Sequence, residues 1–268
     1  MHGPIRFTLL GVCVIAACGE SRDQAVATPA SLAGADHPLL LLPDGPRAQV
    51  GRPFRLSFHG GGGIDGPVVT RLCDVFDPCL ARVGGHQMNV LAPDVVGGQA
   101  GLTVKMPDDG NAMVGYSTKS RVMQWRGERV CFSQHVKSLF IVARTARGVP
   151  VSSAAMSYRL GLRLEIVPMV DPMPLLPGDE LPLQVRLDGP ELDGAELVFH
   201  WRPRGDDAES REVFRGRTDD AGTVVVPIRK PGRYVATVVH REPGSSRPAD
   251  SAPREVLWSA LTFMIGEK

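Results

Sequence analysis

Nowhere does this 268-residue sequence hold an apolar stretch of the roughly 18–20 residues that cross a bilayer as a helix. No segment sustains i, i+3, i+4 apolar spacing over three turns, which excludes a helical bundle. Aromatic residues are scarce, 6% of the chain with three tryptophans, so an extended aromatic platform has little material. Neither sign of charge dominates: 30 Lys and Arg stand against 29 Asp and Glu. Arg6 is the only charged side chain before Cys18, so a chain beginning at that cysteine is electrically balanced. There is no basic stripe interleaved with aromatics, which argues against a nucleic-acid partner. The patterns G-x-S-x-G, H-E-x-x-H, G-x-x-x-x-G-K-[ST] and C-x-x-C are all missing, so no enzyme is expected. The glycine run at residues 60–63 lacks the Lys-Ser/Thr of a phosphate cradle. The pairs Asp108-Asp109, Asp206-Asp207 and Asp219-Asp220 sit in turn-rich stretches and read as acidic turns.

What is present begins with an address. Residues 1–6 carry one positive charge, and residues 7–17 (FTLLGVCVIAA) are apolar but too short to span, the pattern of an export signal over residues 1–17. It ends in Ile15-Ala16-Ala17-Cys18, which resembles a bacterial lipobox and predicts acylation of Cys18. Acyl chains would tether the protein to the membrane without a span. Gly19 follows, where an aspartate would favour retention at the inner membrane. The expected location in a diderm cell is therefore the outer membrane, facing the periplasm. Residues 18–35 are small and polar and read as a lipidated flexible stalk.

Export places the cysteines in an oxidising space. Cys73 and Cys79 flank DVFDP, a turn-forming loop, and a disulfide between them is expected, with Cys131 an alternative partner for either. No nearby histidine pair accompanies them, which argues against a metal cluster there.

Alternation is the strongest secondary-structure signal. FRLSFH sets Phe54, Leu56 and Phe58 on one face, LPLQVRLD sets Leu181, Leu183, Val185 and Leu187, and AELVFHWR sets Ala195, Leu197, Phe199 and Trp201. Gly-, Pro- and Asp-rich turns such as LPGDE, TDDAG and KPGR separate the runs at short intervals. The expected fold class is all-β, two β-sandwich domains with the C-terminal one immunoglobulin-like. Proline-rich VPMVDPMPLLPGDELP marks the boundary, giving an N-terminal β-domain at 36–168 and a C-terminal sandwich at 169–268.

Four ordered segments, GERVCFSQHVKSLFIV, GLRLEIVPMVDPMPLLPGDELPLQVRLDGPELDGAELVF, TDDAGTVVVPIRKPGRYVATVVH and WSALTF, together resemble the exported bacterial family DUF4198. That family was formerly grouped with nickel and cobalt uptake components. The resemblance spans residues 127–263. It implies two β-domains and an exported binding role related to metal. It also singles out a histidine near the mature N-terminus, matched here by His37, and one after the hairpin strand, matched by His240.

His240 lies on the face of Tyr234, Ala236 and Val238, which puts it at the rim of the sandwich. Two readings stand there: an imidazole bonded to a loop carbonyl, or a ligand. The ligand reading joins His240 to His37 and Asp36 as an open site for an exchangeable nickel or cobalt ion. A second candidate is the row Cys131, Ser133, His135 and Lys137 on one strand face, open to solvent or lining an inter-domain cleft. His200 reads as a surface residue. The expected function is an envelope-anchored binding module, in metal uptake with a partner envelope protein. The alternative is an interaction lipoprotein that binds envelope proteins or glycans without metal. Replacing Cys18 by serine is expected to release the protein from the membrane fraction or leave the precursor uncleaved, as fractionation and mass spectrometry of the N-terminus will read.

Overall fold

The computed structural model describes residues 38–61, 64–69, 80–83, 86–89, 92–145, 159–204, 209–243 and 254–266, and every regular element among them is a strand. In chain order these are β1 (Leu40–Pro43), β2 (Arg47–Gln49), β3 (Pro53–His59), β4 (Leu80–Val83), β5 (His86–Asn89), β6 (Asp94–Val96), β7 (Gln99–Lys105), β8 (Gly110–Ser117) and β9 (Arg121–Trp125). They continue as β10 (Glu128–Ala143), β11 (Leu164–Pro168), β12 (Glu180–Leu187), β13 (Glu196–Arg202), β14 (Arg211–Arg217), β15 (Thr223–Pro227), β16 (Gly232–Pro243) and β17 (Arg254–Ile265). No described helix is long and apolar enough to cross a membrane.

The strands form three sheets. The largest runs β14-β13-β16-β17-β10-β8-β4-β5, with β2 and β9 also paired to β10. A four-stranded sheet, β1-β3-β7-β6, and a three-stranded sheet, β11-β12-β15, complete the set. Side chains alternate across a strand, so the two faces of the large sheet can be followed residue by residue. Val130, Phe132, Val136 and Phe140 of β10 and Val256, Trp258 and Ala260 of β17 join the core beneath β1, β3 and β7. Leu139 of β10 and Leu257, Leu261 and Phe263 of β17 join the core beneath β11, β12 and β15. The large sheet is therefore a middle layer with a core on each face. This explains why β10 and β17 are buried almost continuously, where a sheet covered on one face would alternate.

The all-β expectation holds, as do the alternating faces. Leu56 and Phe58, then Leu181, Leu183 and Val185, then Leu197 and Phe199 are all buried. The boundary region differs in one respect: β11 ends at Pro168, on the N-terminal side of the expected boundary, yet it pairs with β12 from Leu164↔Leu187 to Pro168↔Leu183. Its partner strand selects its layer, because a lone strand cannot satisfy its own backbone groups.

The C-terminal sandwich has seven strands, three (β11, β12, β15) facing four (β14, β13, β16, β17). Tyr234, near the start of β16, has the tyrosine corner of immunoglobulin-like domains. Its hydroxyl donates to Lys230 O at 2.6 Å and accepts from the backbone N–H of Arg229 and Lys230 at 3.3 and 3.2 Å. The ring packs against both Phe199 and Phe263, with centroids 5.1 and 5.5 Å away, and those two rings are 6.1 Å from each other. Tyr234→Phe keeps the ring but strands those backbone groups. It is expected to lower stability by about 1–3 kcal/mol in urea denaturation, with no change of fold by circular dichroism.

Candidate functional site

The row from Cys131 to Lys137 shares one face, as its spacing implies, but it does not line a cleft. Ser133, His135 and Lys137 are 4%, 5% and 1% exposed, because the segment leading into β11 closes over them. Lys137 Nζ donates to Glu165 Oε1 of β11 at 2.7 Å, and that carboxylate also accepts from Leu160 N and Gly161 N at 2.8 and 3.1 Å. A buried pair so fully bonded is expensive to break from one side, about 3–5 kcal/mol, which fits a joint between layers. Gly115 permits the close approach: a Cβ there would stand 2.5 Å from Leu160 Cδ1. His135 Nδ1 lies 2.9 Å from Ser117 Oγ, and Nε2 lies 3.4 Å from Ser133 Oγ. Burial pushes this imidazole down to about 4, and the neighbouring Arg163 guanidinium acts in the same direction.

The sign of that shift gives a pH dependence. Unfolded, the histidine takes up a proton as pH falls through about 6.5, whereas the folded protein does not until about 4. Stability is therefore lost progressively across that window, by about 3 kcal/mol, and this group adds no further loss below it. A His135→Gln variant is expected to lack this part of the acid destabilisation when denaturation midpoints at pH 7 and pH 4 are compared.

His240 is half-buried at the sandwich rim, and its Nε2 faces Glu242 Oε1 at 3.4 Å. The second oxygen of Glu242 is held by Arg163 Nη2 at 2.9 Å, and the same guanidinium binds Glu255 at 2.5 Å and Asp188 at 3.4 Å. His240 aligns through Leu257 with Ser133, and His135 through Ser259 with Val238. The two imidazoles thus sit two strands and two residues apart, roughly 12 Å between Cα atoms, and do not converge, since His240 is turned to Glu242 and His135 to Ser117 and Ser133. Among the described residues no group of three or more His, Cys, Asp or Glu side chains is placed to hold a metal. This described donor set does not fit nickel or cobalt. Asp36, His37, Cys18, Cys73 and Cys79 lie outside the described residues, and Cys131 is a free thiol 2.9 Å from Ser120 Oγ.

The concavity that sequence reasoning missed lies on the opposite face of the same strands. A trough of about 650 Å³ is floored by Val198, Thr237, Val239 and Trp258. Trp125 and Arg126 bound it on one side, and Glu196, His200, Glu212 and Arg215 bound it along β13 and β14. A register shift opposite Phe199 and His200 leaves Val213 as an extra residue on β14 beside it, the kind of irregularity that re-aims side chains. Arg215 binds both Glu212, at 2.7 Å, and Glu196. Arg241 reaches Glu128 at 3.4 Å. Burial lowers the His200 pKa, which favours a neutral imidazole on this wall.

The hairpin tip between β9 and β10 is unusual. Arg126 and Gly127 form a two-residue turn with φ of 49° and 83°, a backbone for which Asn-Gly is the favoured pair. Arginine in the left-handed region costs about 1–2 kcal/mol. The other described non-glycine residue with positive φ is Asp188, a type that adopts it readily. The Arg126 guanidinium lies over the Trp125 ring, 5.5 Å from its centroid. Trp125 is 7% exposed, and its Nε1 has no described hydrogen-bond partner. In the sequence the only trace of this site is Trp-Arg-Gly-Glu between two apolar runs; the other lining residues are scattered from Pro38 to Trp258.

A family profile described as a domain of unknown function (DUF4198) matches residues 90–242. No curated protein matches the chain in sequence. Among solved structures, the D0-D1 domain of intimin aligns over 84% of this chain and 97% of its own, at 12% identity and a TM-score of 0.22. The Yersinia pseudotuberculosis adhesin InvE aligns over 86% and 61%, at 12% identity and a TM-score of 0.23. Escherichia coli alpha-2-macroglobulin activated by porcine elastase aligns over 85% and 20%, at 15% identity and a TM-score of 0.24. Overlap of that order supports no argument about fold or function.

Proposed function

The chain belongs to the DUF4198 family, and from that premise we propose that it is an exported, lipid-anchored binding module whose ligand docks in the trough on the face of β13, β16 and β17. The observation that carries this reading is the trough itself. Its volume lies in the range of ligand pockets, and it combines an apolar floor with a few convergent polar groups. Its tryptophans and arginines are the residue types that dominate binding sites. The backbone beneath it is already paired in the β13–β16 and β16–β17 ladders, so the floor is rigid and recognition falls to side chains.

The signal-like N-terminus and Cys18 supply the address. An anchor on Cys18, followed by the stalk at 18–35, would hold the module at the outer membrane and leave the trough open to envelope polymers. A nickel- or cobalt-binding role has no described donor set in its favour. The interaction reading, a lipoprotein that binds envelope material without metal, is the better supported.

Co-sedimentation tests this. With Cys18→Ser removing the anchor, the protein recovered in the soluble fraction is expected to co-sediment with isolated cell-envelope fragments. Thr237→Trp, which fills the floor, is expected to reduce that binding at least about tenfold while the melting temperature holds. Binding unchanged by Thr237→Trp would remove the trough from the reading, and no sedimentation of the Cys18→Ser protein would remove the binding role.

A further inference from the structure

We infer that the trough accepts an oligosaccharide that presents one isolated carboxylate to it, and that Arg126 is the residue that meets that carboxylate. This rests on the trough being the binding site and names the class of its ligand.

Charge selects against other chains. Arg215 is neutralised by Glu196 and Glu212, and Arg241 by Glu128, so these arginines offer no uncompensated charge to a polyanion. Arg126 is the exception: among the described residues it has the Trp125 ring beneath it and no carboxylate partner. One free guanidinium in an otherwise balanced trough suits a ligand presenting one anionic group locally. The two wall carboxylates would repel the continuous phosphates of a nucleic acid.

Sugar chemistry fits the remaining walls. A hydroxyl both donates and accepts, so vicinal hydroxyls can bridge a side-by-side glutamate and arginine such as Glu212 and Arg215 without stranding either. Thr237 and the neutral imidazole of His200 offer the same dual character. Sugar C–H faces can rest on the half-buried Val198 and Val239, beside the buried Trp258. A peptide added as a strand would need free backbone donors and acceptors, and on this face the floor strands have already spent theirs on each other.

Backbone strain is the independent sign. Asparagine would sit at the 126 turn at lower cost than arginine, and the turn alone does not require a guanidinium. Strain and binding therefore predict opposite consequences for one substitution.

The test uses the Cys18→Ser protein and isothermal titration with two tetrasaccharides: one of hyaluronan type, alternating glucuronate with N-acetylglucosamine, and chitotetraose, which has the neutral ring throughout. The parent is expected to bind the acidic chain at least about tenfold more tightly. Arg126→Asn is expected to abolish that preference while its melting temperature stays level or rises, an outcome that loss of fold cannot mimic. A preference that survives Arg126→Asn overturns the assignment of Arg126. Tighter binding of a short single-stranded DNA than of the acidic tetrasaccharide overturns the ligand class. Binding of neither sugar by a protein that still co-sediments with envelope fragments also overturns the ligand class, and leaves the trough's binding role intact.

Discussion

The parallel pairing of β10 with β17, from Cys131↔Glu255 to Ser138↔Thr262, is the constraint on which the architecture depends. It joins a strand from the middle of the chain to the last described strand in one sheet. Because both faces of that sheet are covered, each inward-facing residue on these strands must serve one of two cores. Polar residues there cannot fall back on water, so each needs a partner. Gln134 accepts from Leu39 N at 2.7 Å and Thr262 donates to Leu41 O at 2.8 Å on one face, while Lys137 meets Glu165 on the other. These bonds fix the outer sheets over the middle one more specifically than apolar contact would.

Covering by the described residues is uneven, and the proposed site lies in the open part. The four-stranded sheet lies over Val256, Trp258 and Ala260, whereas the same face of the large sheet continues through β16 and β13 as Thr237, Val239, Val198 and His200 without a full layer above it among the described residues. The β9–β10 hairpin tip stands at one border of that uncovered stretch, carrying Arg126 at a strained φ. On the other face, the sandwich with β11, β12 and β15 is closed by the buried Lys137–Glu165 pair and the charged rim around Arg163. Closed polar joints thus hold the β11 side of the large sheet, and the trough lies on its opposite face beside the other core.

His135 and His240 show how context decides the role of a residue type. Both lie on the same face of the large sheet, on strands separated by β17, and each was a candidate on its own ground, His240 for its place at the sandwich rim and in the family resemblance and His135 for its polar row. His135 is kept neutral by burial between Ser117 and Ser133. His240 turns to a carboxylate already committed to Arg163. Neither stands within reach of the other.

Strand faces were legible in the sequence because alternation is a local property: Phe54, Leu56 and Phe58, Leu181 to Val185, and Tyr234, Ala236 and Val238 needed only a period of two. The turns were legible for the same reason, since Gly, Pro and Asp act on their own dihedral angles. The row Cys131, Ser133, His135 and Lys137 was also correctly a face, but whether that face met solvent or another sheet depended on Glu165, a residue of β11 brought over it by the fold. The trough was hidden more completely. Its lining comes from five strands, a hairpin tip and two loops, and its existence depends on where one sheet stops covering another. Periodicity carries the direction in which each side chain points; only long-range strand pairing decides what it points at.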